Sequence, residues 1–544
     1  MNGLLVSAVL LAPASPVPAL PKAPPAAGVD RNQSLNFARV VYTLAINVKT
    51  QYAVEKENHD RELIEAAVRG LYDAVGAEVP EQVRAAVRKA SGPTQLVEVL
   101  ADARGRLGND ARLAGAKSLF AAMNGFKYAT DPSCGPVGRR TSEYASIDQD
   151  FGVGIELEGV VGVPWTLYSV ESQVARGQAA AAAWFGPIPR PEDIPCPATF
   201  PWRVRRVIPG SPAQKAGVRP GDVIDRLDGT EVTAANANKL FANFASTTQA
   251  FDPATGLPVA RDRKITFRRE GGESFAADLK AAPYVPETAF GVVRLPEDKW
   301  DCLLDREYKI GYVRLGAVEM GLDAKVAEML DGLTKQGCRA LILDLRWCPG
   351  GYVTPGTKIA GLFLKDGAMI AKMDYRDPAR AGTPPEVRTP PGGGKFADLP
   401  LVLLVGQETV GGGELIASAL RDNDRCVVVG QRTVGRAAVQ QPIEVGLGGT
   451  VQYRVTIGTS LRPNGKNRQR KPDSGPLDDW GVRPDEGLEV PVTADKSAEL
   501  RRQAELHSLR PADSREALTF DDPATDPHRL AALAYLRKKL GPRK

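Results

Sequence analysis

Histidine is nearly missing from this chain. Three occur in 544 residues, His59, His507 and His528, and none lies between Asp60 and Leu506. A Ser-His-Asp or Cys-His mechanism inside that interval is excluded unless a terminal segment folds back, so a base there has to be Lys, Asp, Glu or Tyr. The six cysteines, Cys134, Cys196, Cys302, Cys338, Cys348 and Cys426, are scattered, with no Cys-x-x-Cys pair and no histidine beside them. That argues against a zinc centre, and no metal or cofactor is expected. One disulfide after export is open, with Cys134 and Cys196 as a candidate pair. Also missing is any apolar run of the roughly 18–20 residues that a membrane span needs. The net charge of +5 is small for this length, and no dense basic block with interleaved aromatics is present, so nucleic acid is not an expected partner.

What is present divides into several domains, as the length demands. Residues 1–28 combine a short apolar core, Leu4 to Leu11, with small residues and prolines. They read as an export leader, periplasmic or secretory, although the positive n-region is lacking; a disordered Pro/Ala leader is the alternative. Residues 29–143 are rich in Ala, Leu, Val, Glu and Arg at helical spacing. In RELIEAAVRGLYDAV the apolar Leu63, Ile64, Ala67, Val68 and Leu71 share one helix face, which predicts a helical N-terminal domain.

Residues 144–285 form a second unit with an insertion near 160–200 that holds an alanine run and many prolines. Alternation over Val204 to Ile208 leads into the turn Pro209-Gly210-Ser211-Pro212. A short helix then ends at Gly217, and the turn Arg219-Pro220-Gly221-Asp222 precedes Val223-Ile224. This resembles a PDZ domain. The resemblance implies that Gly152, Val153, Gly154 and Ile155 form a carboxylate-binding loop for a peptide added as a strand to the sheet edge.

In residues 286–495 strands and helices alternate: KIGYVRL, GLDAKVAEMLDGLTKQG, RALILDLRWCPGG, TKIAGLFL, LVLLV, GELIASALRDN and RCVVVG. An α/β core with a partly parallel sheet is expected, which makes the whole a multidomain α+β protein. Residues 496–544 read as a charged helical tail, with a surface-packed extension as the plain expectation.

Four motifs of the third unit, taken with the PDZ-like segment, resemble the tail-specific, or C-terminal processing, protease family. They are Asp344-Leu345-Arg346 with Pro349-Gly350-Gly351, the helix Glu414 to Asp422, the segment Val429 to Arg436, and Gly481-Val482-Arg483-Pro484-Asp485. The resemblance implies a Ser-Lys dyad without histidine, in which a desolvated neutral lysine takes the proton of the serine hydroxyl. The family's serine stands three residues before the glutamate, which here is Gly411. Its lysine position is Arg436, with the accessory glutamine at Gln440. The same resemblance implies an oxyanion hole from the N–H of Gly412 and of Gly350 or Gly351.

Both dyad positions depart from the family pattern. Glycine supplies no nucleophile, and arginine, with a pKa above about 12, stays protonated. The leading expectation is therefore a non-proteolytic copy that binds peptide or protein C-termini, with a second copy of the chain as a further candidate partner. The alternative is an active serine-type endopeptidase with displaced groups, for which Thr409, Ser418 and Cys348 are the candidate nucleophiles. A P-loop is excluded, because Gly412 and Gly413 stand where Lys and Ser or Thr are required.

Overall fold

The stripe Leu63, Ile64, Ala67, Val68 and Leu71 is buried on the helix His59–Ala74, as its spacing requires. In this computed structural model the described residues are 29–54, 59–114, 117–131, 134–138, 150–157, 200–237, 240, 248–251, 258–260, 262–280, 282–296, 299–380, 384–445, 451–471, 473–510, 520 and 522–542. The leader, most of the insertion near 160–200 and Cys196 of the disulfide pairing lie outside them. The chain divides into two compact units.

The first unit takes in the described parts of Met1–Arg139 together with Gln440–Ile457. Its helices are Arg31–Gln51, His59–Ala74, Glu81–Lys89, Pro93–Arg106 and Lys117–Gly125. Their apolar faces, including Val41, Leu44, Leu71, Leu100 and Phe120, enclose Ile443, Tyr453 and Val455 from the far later segment. The strand Gly135–Gly138 pairs antiparallel with residues 451–454.

Within the second unit, the PDZ-like segment has the expected turns. Ser211 caps the helix Pro212–Lys215 by accepting from Gln214 N. Asp222 accepts from Arg219 N at 2.9 Å across the Pro-Gly turn. Ile155–Leu157 pairs with Val204–Val207, and Val223–Leu227 with Asp262–Arg268.

The third segment belongs to the same unit and is built on four parallel strands, in the order Ile310–Leu315, Ala340–Asp344, Leu401–Val405 and Val427–Gly430. Antiparallel strands flank the first of them. A strand buried on both faces reads as a continuous apolar run, and LVLLV is that case, with all five residues buried. The helix Leu322–Lys335 packs on the Gly311 face, where Leu333 fills the space beside that glycine.

The opposite face corrects the reading of the tail as a surface-packed extension. Ile310, Tyr312, Ala340, Ile342, Val402, Leu404 and Val429 bury against Ala504, Phe520, Ala532, Leu533 and Leu536. The tail helices Ala494–Ser508 and Pro527–Leu540 are thus the second layer of the sheet. Their charged sequences conceal this, since only one stripe of each is apolar. No helix among the described residues is long and apolar enough to cross a membrane.

Candidate active site

Parallel strands end on the same side, so the turns after Ala340–Asp344, Leu401–Val405 and Val427–Gly430 meet at one sheet edge, where α/β folds place their chemistry. These turns deliver Gly350 and Gly351, Gly411 and Gly412, and Gly435 and Arg436. A single carboxylate ties two of them together. Glu414, fully buried in the first turn of the helix Gly412–Asp422, accepts from Gly411 N at 3.1 Å and from Arg436 N at 2.8 Å through Oε2. Its Oε1 accepts from Thr433 Oγ1 at 2.5 Å and Gly435 N at 2.6 Å. The contact with Gly411 is the backward half of a capping box, the glutamate at N3 reaching the N-cap amide. Arg468, itself buried, senses this charge: burial pulls its pKa down and the Glu414 carboxylate pushes it back up.

Gly411 has φ +49° and ψ −104°, a conformation that favours glycine. Space is not the constraint, because a Cβ there would meet only Gly350 Cα, at 3.7 Å. Gly351 differs: a Cβ would lie 2.3 Å from the Val318 carbonyl oxygen. That close approach lets Val318 N donate to Gly350 O at 2.7 Å and Tyr352 N to Val318 O at 2.8 Å. Of the three candidate oxyanion donors, the Gly350 N–H is near enough to the Cys348 sulfur to lower that thiol's pKa against the effect of burial. Among the described residues, neither the Gly351 nor the Gly412 N–H has an acceptor.

The displaced nucleophiles are all occupied. Thr409 is fully buried, donates to Leu345 O at 2.8 Å and accepts from Gly406 N at 3.0 Å. Ser418 donates to Leu415 O within its own helix. Burial pushes the Cys348 thiol up to about 12, opposite to what a thiolate nucleophile needs.

Behind the Gly350 turn lies a charge network that the motifs alone did not predict. Arg346 donates to Asp344 (2.7 Å) and to Asp526 (2.8 Å), and Tyr312 Oη donates to Asp344 at 2.8 Å. Asp526 also caps the helix Pro527–Leu540. Burial opposes ionisation of Asp344, but Arg346 overrides it and the carboxyl is held below its ordinary range. His528 does fold back to this network, yet Nδ1 faces Arg346 at 3.2 Å and Nε2 faces the Val490 carbonyl at 2.7 Å. Both ring nitrogens are therefore committed to structure.

A model of peptidase family S41 matches residues 309–487, and a PDZ domain model matches residues 203–240. Residues 309–487 are thus a peptidase family S41 domain, and its pairing with a PDZ domain supports kinship with the tail-specific, or C-terminal processing, proteases. It is 26% identical over 323 residues to the carboxyl-terminal-processing protease of Synechocystis sp., covering 58% of this chain and 66% of that protein. It is 25% identical over 284 residues to the carboxy-terminal processing protease CtpA of Bacillus subtilis, covering 52% of each. To the chloroplastic carboxyl-terminal-processing peptidase 1 of Arabidopsis thaliana it is 32% identical over 155 residues, 28% of this chain and 30% of that one. The chain thus spans about two thirds of the first of these relatives and about half of the second.

For this tail-specific protease relative, the remaining candidate residues fall in two places. In the PDZ loop, Gly154 has φ +79° and its carbonyl accepts from Ile208 N, while the Val153 carbonyl accepts from Ala213 N. Gln440 is in the helical unit, where its amide reaches Thr456 Oγ1 at 3.5 Å. Among the described residues no group of His, Cys, Asp and Glu is arranged to hold a metal ion.

Proposed function

We propose that this protein is a non-proteolytic member of the C-terminal processing protease family that binds the free C-termini of peptides or unfolded proteins in an exported setting. The observation that carries the reading is the pair Gly411 and Arg436 on an otherwise retained frame: the Glu414 clamp joins the two positions through their backbone amides, and neither side chain can perform the dyad's step. The loop Gly152–Ile155 takes the peptide's terminal carboxylate, and the glycine turns at 350–351 and 411–412 accommodate extended chain. Calorimetric titration of the full chain with one peptide in free-acid and C-terminally amidated form tests this. The free acid binds more tightly; equal affinity removes the carboxylate loop from the reading. The same peptides remain uncleaved after long incubation, and turnover abolished by Thr409→Ala or Cys348→Ala would overturn the non-proteolytic assignment.

A further inference from the structure

Beside the Gly411 turn, two arginines lie over one tryptophan and a third binds the same loop. Arg432 lies over the Trp480 ring at 3.4 Å and Arg470 over it at 4.7 Å. Arg432 is consumed by structure, donating to the carbonyls of Pro476, Asp478 and Trp480, and Arg483 donates to the first two of these. These bonds fix the loop Gly475–Trp480, whose Trp480 Nε1 also donates to Gly475 O at 3.0 Å. Burial chiefly, with Arg483 and Arg470 nearby, pulls Arg432 down to about 10, so these guanidinium charges repel one another. Its acidic neighbours are already engaged: Asp478 accepts from Gly475 N, and Asp479 pairs with Arg462 and Lys466.

Arg470 is the exception within this cluster. It is exposed, and among the described residues its guanidinium has neither a hydrogen-bond acceptor nor a carboxylate partner. Its backbone is nonetheless pinned to the site, since Arg470 N donates to Gly435 O at 2.8 Å. Gly435 N is held in turn by Glu414, which also holds Gly411 N. The approach is close enough that a Cβ on Gly435 would lie 2.9 Å from Arg470 Cβ and 3.0 Å from the Trp480 ring. A guanidinium flattened on an aromatic face keeps its in-plane donors available and loses little freedom on binding a carboxylate.

We propose that Arg470, held on Trp480 beside the Gly411 turn, is a specificity residue that selects peptides carrying acidic side chains. This rests on the peptide-binding reading above. Labelled short peptides of one sequence with a common free C-terminus, bearing either glutamates or glutamines upstream, are titrated into the full chain by fluorescence anisotropy. The glutamate peptide binds roughly two- to fivefold more tightly at low ionic strength, the range of an exposed ion pair. High salt erases the difference. Arg470→Gln abolishes the preference, Arg470→Glu reverses it, and Arg470→Lys restores part of it, while Arg84→Gln in the helical unit leaves it intact. An unchanged ratio in Arg470→Gln, with binding preserved, overturns the proposal alone. Failure of both peptides to bind the unmodified protein removes the peptide-binding reading and this inference with it.

Discussion

Replacing Gly411 by serine restores the family's hydroxyl, and the geometry sets the cost. The new Cβ meets one atom at ordinary contact distance, Gly350 Cα at 3.7 Å, so no overlap has to be relieved. What remains is backbone strain at φ +49°, ψ −104°, worth about 1–3 kcal/mol for a residue with a side chain. In a folded unit of this size that lowers Tm by about 2–6 °C. Gly351→Ala is the internal contrast, because its Cβ would be forced to 2.3 Å from a carbonyl that also accepts a hydrogen bond. Its loss therefore exceeds that of Gly411→Ser clearly. Differential scanning calorimetry of the two variants side by side makes the comparison. Equal losses would refute the claim that the Gly411 turn still has room for a nucleophile. Adding Arg436→Lys to Gly411→Ser then asks about chemistry, since Arg436 N stays anchored on Glu414 whatever its side chain. Cleavage of an unfolded peptide by the folded double variant is the expected gain; silence with an intact fold would show that more than the dyad is missing.

Other perturbations follow from the same contacts. Glu414→Gln places an NH2 group against N–H and O–H donors that now share one carboxylate, and costs about 3–5 kcal/mol in urea unfolding; a cost under about 1 kcal/mol would mean the clamp is not structural. Acid should weaken the fold in two stages. Burial holds the His507 pKa down at about 3, so below its ordinary 6.5 the unfolded chain takes up a proton that the native ring refuses. Stability is therefore complete above that pH and falls as pH drops, by about 1.4 kcal/mol per pH unit from this group, and His507→Gln flattens the slope unless the reasoning is wrong. In Asp526 burial opposes ionisation but Arg346 prevails, leaving the carboxyl at about 2. Its contribution is present above about pH 4 and disappears between there and about pH 2. Asp526→Asn shrinks that second stage, leaving the part that Asp344 contributes.

The sheet and its turns were largely readable from residues 310–430, because buried parallel strands announce themselves as short apolar runs such as LVLLV and because Gly350, Gly351 and Gly411 punctuate their ends. The positions of Gly411 and Arg436 at one sheet edge follow from strand order. Glu414 was visible as part of a helix motif, but three of its four partners are backbone amides, which carry no side-chain signature. Gln440 sat at the expected spacing, yet the segment from 440 to 457 is recruited by helices three hundred residues earlier, a pairing that local periodicity cannot encode. That Asp526 would both cap the helix Pro527–Leu540 and reach Arg346 was not legible in the charged tail.

The layer formed by Phe520, Ala532, Leu533 and Leu536 has a consequence for biosynthesis. Until those residues have left the ribosome, one whole face of the central sheet stays uncovered and Arg346 lacks Asp526. The strands bearing the glycine turns therefore mature only after residues 520–536 have been made, so until then this part of the nascent chain stays exposed to chaperones.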